Sequence, residues 1–218
     1  MPTEYDAFAD TYDAEVQATA DIGFYTELAQ AAPPPVLELA VGTGRVSFPI
    51  ARAGVPVIGI DQSAAMLAVA RKKLAQEPEL PVRLGEADMH DFDLPDVKGK
   101  IGLAIIPARS FMHLVTVDAQ IKCLRGVHRH LVDRGRLALN FFVPDVTTIA
   151  AYLSKLGQAV GYNDVFTDPD TGHQVEVWQY RHYRVHDQFI DQRFVCHEWG
   201  EDGTLLRTTR RGYTLSYI

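Results

Sequence analysis

The chain has 218 residues, 47% of them hydrophobic and 22% charged, with a formal net charge of -7. That length and balance belong to a folded globular protein with a substantial core rather than a disordered chain. The acidic balance argues against a nucleic-acid partner, which needs a basic surface to displace condensed counterions, and favours a small substrate. Basic runs such as Arg71-Lys72-Lys73 and 207–211 read as solvated faces.

In chain order, Tyr5, Phe8 and Tyr12 fall at i, i+3, i+7 and predict a helix packed by an aromatic stripe. A second helix is expected from Asp21, as N-cap, to Ala31, ended by Pro33-Pro34-Pro35. The apolar run Val36 to Ala40 then feeds a two-glycine turn, Gly42-Thr43-Gly44, and a helix that stops at Gly54. Val57-Ile58-Gly59-Ile60 forms a second strand ending at Asp61, and Ser63 caps a helix whose core face holds Met66, Leu67, Ala70 and Leu74. A short third strand, Val82 to Leu84, precedes an acidic turn from Glu86 to Asp91, in which His90 reads as an ordinary loop histidine. Strand four, Ile101 to Ile106, is apolar apart from Gly102, as a parallel strand buried on both faces should be. A helix over Asp118 to Leu131, a turn at Asp133-Arg134-Gly135 and a fifth strand, Arg136 to Val143, complete the alternation.

Alternating strands and helices with short loops predict an α/β fold with a doubly wound, mainly parallel sheet and helices on both faces. Ligand sites in such sheets lie at the carboxyl ends of the strands. Glycines in the first turn allow close backbone approach to a ligand. The position three after Gly44 is Ser47, so the dinucleotide G-x-G-x-x-G pattern is broken, and no G-K-[ST] of a phosphate loop follows. The acids Glu38, inside strand one, and Asp61, ending strand two, suit instead a nucleoside whose ribose hydroxyls meet a carboxylate.

These residues resemble the class I S-adenosylmethionine-dependent methyltransferases. Glu38 to Gly44 matches their glycine motif with Ala40 where many members have a first glycine, and Asp61 matches the ribose acid. Gly85 to Met89 matches the adenine motif, and Ile105 to Leu114 the segment after strand four beside the methyl group. The family's fold is Rossmann-like. The resemblance implies S-adenosyl-L-methionine as cofactor, S-adenosyl-L-homocysteine as product, and a cofactor set of Glu38, Ala40, Gly42, Gly44, Arg45, Asp61, Gln62, Ala87, Asp88, Met89 and Ile106. The N-terminal Y-D-x-x-A-x-x-Y-D pattern, Tyr5 to Asp13, is similar to a segment that closes over the cofactor in small-molecule members, with Tyr12 the expected lid residue. His113 resembles the histidine near the acceptor nitrogen in sugar-amine N-methyltransferases, and is expected to position or deprotonate the acceptor. Arg109 and Ser110 are the expected acceptor contacts, Arg109 standing where relatives have a small polar residue. Gly102 departs from an aspartate common there.

The expected domains are a cofactor-binding core, 1–144, with a helical lid over 1–32, and a region 145–218 belonging to the same domain. That region should hold a helix from Val146 to Leu156 and an antiparallel β meander, with runs Gln174 to Val185, Gln188 to Trp199 and Thr204 to Ile218 and a hairpin turn at Asp202-Gly203. The family's fold has two more strands and a helix after strand five, so the chain ending at Ile218 reads either as truncated or as completing its sheet differently. An open sheet edge invites pairing, giving a monomer or a homodimer through the meander. Cys123 and Cys196 read as free buried thiols, and His182, His186 and His197 form no ligand set, so no metal is expected. No signal-peptide layout and no membrane-length apolar run are present, which predicts a cytoplasmic protein without a membrane partner. The function so read is methyl transfer to a nitrogen or oxygen of a small molecule. The alternatives are a non-catalytic S-adenosylmethionine-binding protein and an NAD-dependent oxidoreductase, the latter disfavoured by Ser47.

Overall fold

A computed structural model describes residues 3–143, 145–147, 149–150 and 162–217. The chain divides into two units, the first comprising Met1–Asp10 and Ala18–Phe141, the second Thr11–Gln17 and Phe142–Ile218.

The first unit is built on five strands: β1 (Val36–Leu39), β2 (Val57–Asp61), β3 (Val82–Glu86), β4 (Ile101–Ile106) and β5 (Leu131–Leu139). They pair in the order β3-β2-β1-β4-β5, all parallel, so the order reverses between β1 and β4. Parallel neighbours need crossovers, and α3 (Ser47–Arg52), α4 (Ala64–Leu74) and α5 (Val117–His130) supply them. Alternation along β1 feeds two cores. Val36 packs with Tyr25 and Ala29 of α2 (Ile22–Gln30) and Ile50 and Ala51 of α3. Leu37 and Leu39 pack on the other face with Cys123 and Val127 of α5 and with Phe92. Helices therefore cover both faces. His130, fully buried at the end of α5, accepts the Leu94 N–H at Nε2 (3.0 Å), while its Nδ1 lies 2.7 Å from the Gly126 carbonyl. That pair of contacts pins the loop after β3.

Several expected details change. The aromatic stripe at Tyr5, Phe8 and Tyr12 is not one helix: Asp6–Phe8 is a short 3-10 turn of the first unit, and α1 (Tyr12–Glu15) belongs to the second. Asp21 precedes α2 but makes no cap bond, because Arg45 occupies its carboxylate. Ser63 does cap α4, accepting the Met66 N–H at 3.0 Å, and Met66 is buried in the core. The fifth strand begins at Leu131 and ends at Leu139, not Val143. Its register breaks between Ile101 and Leu103, where Leu131 and Arg136 are the partners, and the loop Asp133-Arg134-Gly135 is carried as an irregularity with Arg134 at φ 59°.

The second unit holds an antiparallel sheet of β6 (Tyr162–Thr167), β7 (Gln174–Arg184), β8 (Phe189–Trp199) and β9 (Leu205–Ser216) in sequence order. β6 is a fourth strand that the sequence reading lacked. It is joined to β7 by a turn in which buried Asp168 accepts the N–H groups of Asp170 and Thr171. The expected turn at Asp202-Gly203 is present, with Gly203 at φ 80° and Thr204 N–H donating to Asp202. Val175, Val177, Phe194 and Cys196 form its core, and Glu15 of α1 makes a largely buried ion pair with Arg211 of β9. Residues 146–147 and 149–150 are helical, and the expected continuation to Leu156 lies outside the described residues.

Gly102 has a packing reason. A Cβ there would sit 1.9 Å from the Pro33 carbonyl oxygen, a backbone atom with no rotamer to escape into, so no side chain fits at this position of β4. Gly102→Ala should lose about 3 kcal/mol and roughly 6–12 °C of melting temperature, read by calorimetry or circular dichroism, and an unchanged melt would show that the β4 contact is not tight.

Candidate functional site

The first unit concentrates polar groups at the carboxyl ends of its strands. Glu38 lies mid-β1, between Gly59 of β2 and Ile105 of β4, with 2% of its surface exposed. Its carboxyl accepts a hydrogen bond from the Ser47 hydroxyl, so the residue that breaks the dinucleotide pattern is the one that satisfies the buried acid. Burial in the sheet pushes the Glu38 pKa up to about 8, against the Ser47 bond and the Arg45 charge, which lower it.

Beyond β1 the chain leaves through Ala40 at φ 56° and Gly42 at φ 57°. Left-handed backbone is strained for alanine, which stands where relatives carry glycine. A Cβ on Gly42 would meet nothing within 4 Å, so the turn faces open space. At Gly44 (φ 87°) the reason is internal, because a Cβ would sit 2.6 Å from the Phe48 ring. Lys73 of α4 holds the Thr43 carbonyl at 2.9 Å.

Asp61, at the end of β2, binds the turn directly. Its Oδ2 accepts the Gly42 N–H and its Oδ1 the Ser63 N–H, each at 2.8 Å. Desolvation raises its pKa while these backbone bonds lower it. A carboxylate oxygen can take more than one donor, so Asp61 remains a candidate acceptor for hydroxyls beside its backbone bonds.

After β3, Ala87 donates its N–H to the Asp61 carbonyl (3.0 Å), Met89 packs against the core, and Asp88 is exposed, its carboxylate taking the His90 N–H at 2.8 Å. His90 is less ordinary than its loop suggests, since its Nε2 is buried without a hydrogen-bond partner. After β4, whose last residue Ile106 is buried, Ala108 and Arg109 are consecutive left-handed residues (φ 55° and 64°). The Asn140 side chain, just past β5, accepts the Arg109 N–H at 2.8 Å and steadies that turn. Ser110–His113 follows as a 3-10 helix. His113 Nε2 lies 2.9 Å from the Tyr5 hydroxyl, with the two rings edge to face at 5.5 Å. Burial pushes the His113 pKa down to about 4, so the imidazole is neutral at physiological pH.

Thus Glu38, Ala40, Gly42, Gly44, Asp61, Ala87, Ile106, Ser110 and His113 come from β1, β2, β3 and β4 ends of one sheet. Arg45, expected as a cofactor contact, donates to both Asp21 oxygens (2.6 and 2.8 Å) and to the Ala18 carbonyl (2.7 Å). Gln62 is exposed beside Asp61, and Arg109 is exposed on its turn. Tyr12 starts a helix of the second unit; within the first unit the tyrosine that reaches His113 is Tyr5. Sequence reasoning missed Ser47, Asn140 and the Tyr5–His113 pair; the matched N-terminal pattern already contained Tyr5. Among the described residues no group of three His, Cys, Asp or Glu side chains is gathered as a metal site, and no helix is long and apolar enough to cross a membrane.

Residues 36–135 match the family described as a methyltransferase domain. Residues 36–135, from β1 into β5, are thus similar to a methyltransferase domain. YqeM of Bacillus subtilis (strain 168), assigned as a methyltransferase, is 31% identical over 136 residues, which are 61% of this chain and 53% of YqeM. The chain thus spans about half the length of that curated relative. Among solved structures, the CcbJ methyltransferase from Streptomyces caelestis superposes with a TM-score of 0.75 at 25% identity, over 100% of this chain and 82% of that one. The sugar N-methyltransferase KedS8 from Streptoalloteichus sp ATCC 53650 has the same TM-score at 19% identity, covering 100% and 80%, and attests the fold.

The geometry suits a nucleoside ligand at two points: the space beside Gly42 is open, and the Asp61 carboxylate stands next to it as a hydrogen-bond acceptor. Glu38 supplies a pH test. The unfolded side chain titrates near 4.5 and the folded one near 8, so its contribution to stability is intact below about pH 4.5 and is lost as pH rises through 8. Glu38→Gln keeps an acceptor for Ser47 and removes the titration. In ligand-free melts the variant should gain on wild type by roughly 3–6 °C per pH unit between pH 5 and 8. Parallel melting curves would show that Glu38 is not protonated in the folded chain.

Proposed function

We propose that the chain transfers a methyl group from S-adenosyl-L-methionine to a nitrogen or oxygen of a small molecule. The observation that carries this reading is the Asp61 carboxylate, fixed by Gly42 and Ser63 beside an open glycine turn at the sheet's switch point. In the proposed assignment Asp61 receives the ribose hydroxyls, the Gly42 and Gly44 backbone lies along the amino-acid end near Glu38, and Ala87 to Met89 border the adenine. When bound, the cofactor supplies a sulfonium methyl open to displacement by a lone pair.

Such displacement needs alignment and exclusion of water more than proton chemistry from the protein. His113 suits the first task. With a pKa near 4 it holds a proton weakly, so we assign it and Tyr5 to orienting the acceptor by hydrogen bonds, with the proton leaving to solvent after transfer. Arg109 and Ser110, on the turn braced by Asn140, are the proposed acceptor contacts. The net charge of -7 favours a neutral or cationic acceptor, and the name of KedS8, a sugar N-methyltransferase, supports an amine. Both cysteines are free and buried, which supports a reducing compartment, the cytoplasm.

Calorimetric titration tests the reading. The protein should bind S-adenosyl-L-methionine and S-adenosyl-L-homocysteine with micromolar affinity and NAD not at all, and Asp61→Ala should weaken both by about ten-fold or more. Absence of sulfur-ligand binding by the wild-type chain would overturn it. Once an acceptor is in hand, Tyr5→Phe should lower turnover roughly ten-fold while S-adenosyl-L-homocysteine affinity is unchanged, and full turnover would remove the pair from the acceptor's side.

A further inference from the structure

Adjacent residues of the N-terminal strap reach two different strand ends of the first unit. Tyr5 meets His113, beyond β4. Asp6, the next residue, accepts the Ser63 hydroxyl at 2.5 Å, and Ser63 begins α4 directly beyond β2. The strap is also closed on itself, since the Asp6 carboxylate takes the Thr3 N–H (2.7 Å) and the Thr3 hydroxyl (2.8 Å). Phe8, two residues on, is buried and lies 5.3 Å from the Tyr5 ring.

Ser63 is fully used in this arrangement. Its single hydroxyl proton goes to Asp6, its oxygen accepts the Met66 N–H, and its backbone N–H goes to Asp61. A continuous chain of hydrogen bonds and one peptide step therefore runs Gly42, Asp61, Ser63, Asp6, Tyr5, His113. The 3-10 turn Asp6–Phe8 is three residues long and cannot fix its own position by helix formation. Side-chain anchors must do so, and Asp6 is the anchor on one flank.

We propose that Asp6 is a positioning residue: by accepting the Ser63 hydroxyl it fastens the strap to the start of α4 and so sets the Tyr5 hydroxyl against His113. This deepens the methyltransferase reading, on which it rests only for calling the Tyr5–His113 pair the acceptor side. Through the same bonds, occupancy of Asp61 and the arrangement at His113 share one element, and any coupling between them is reciprocal.

The test uses imidazole NMR titrations of the ligand-free full chain as wild type, Asp6→Ala and Asp6→Asn. In wild type His113 should stay neutral down to about pH 4, because the ring is buried, with Tyr5 of the strap packed edge to face against it. In Asp6→Ala its midpoint should rise by about one unit or more toward 6.5. Asp6→Asn keeps an acceptor oxygen for the Ser63 and Thr3 hydroxyls, loses the one for the Thr3 N–H, and should move His113 much less than Asp6→Ala. An unmoved His113 midpoint in Asp6→Ala, even alongside a lower melting temperature, would reduce Asp6 to a local structural role and overturn the proposal. So would an Asn variant shifted as far as the Ala variant, which would make charge or the Thr3 N–H bond, rather than the Ser63 bond, responsible. If Asp6→Ala yields no folded protein, Ser63→Ala breaks the same bond from the other side and should move His113 equally; no movement there overturns it. Failure of the methyltransferase reading would appear separately, as absent binding of S-adenosyl-L-homocysteine to wild type, and leaves these titrations meaningful.

Discussion

The organisation of the first unit depends on what one carboxylate holds. Asp61 takes an N–H from the glycine turn after β1 and another from the first turn after β2, so two strand exits and the start of α4 are bonded through a single side chain. Backbone N–H groups at such exits have no ladder partner, and a side-chain acceptor removes the penalty of leaving them bare. The ligand-binding role proposed for Asp61 would therefore share atoms with its structural one.

Much of this was legible from residue types because the signals are local. Strand, two-glycine turn, helix and a terminal aspartate at the next strand are short-range patterns whose chemistry has few alternatives. β1 to β4 and their helices follow from apolar runs bounded by breakers. What escaped depends on contacts distant in sequence or on irregular backbone. Nothing local says that Asn140 will hold the Arg109 amide, that Arg45 will be consumed by Asp21, or that Tyr5 will reach across 108 residues to His113. The early break of the aromatic stripe belongs to the same class, since i, i+3, i+7 spacing is shared by a continuous helix and by two short turns that diverge between Asp10 and Thr11. β6 escaped for a different reason: Asn163-Asp164 dilutes its alternation, and the turn that pairs it with β7 is made by the Asp168 side chain rather than by an Asn-Gly or Asp-Gly pair.

Ser47 shows how one residue can exclude one function while serving another. Its place in the pattern's third position removes the glycine that lets the helix pack closely on the strand in a dinucleotide site. Its hydroxyl then becomes the partner that a buried acid in β1 requires. A carboxyl with 2% exposure and no donor would be costly whether charged or neutral. The pair Glu38–Ser47 is thus coherent with a ligand that ends in an amino acid rather than a second nucleotide, and the departure from the dinucleotide pattern is a substitution of chemistry rather than a loss of one.

Stability is given up in one region. Three non-glycine residues in left-handed backbone, Ala40, Ala108 and Arg109, stand at the exits of β1 and β4, the two strands between which the sheet order reverses. Each such residue carries about 1–2 kcal/mol of strain, and the buried Glu38 sits on β1, one of the same two strands. Strain persists only where surrounding structure over-determines it. Here the determinants are visible: an apolar core on each face of the sheet, the Asn140 brace on the Arg109 amide, and the Asp61 bridge on the Gly42 amide. Relaxing any of these backbones to an easier geometry would displace the turn that carries Ser110 and His113 or the glycine turn that faces open space. The strained exits are therefore the geometric requirement for bringing the glycine turn, the Asp61 carboxylate and a neutral imidazole to the same end of one sheet.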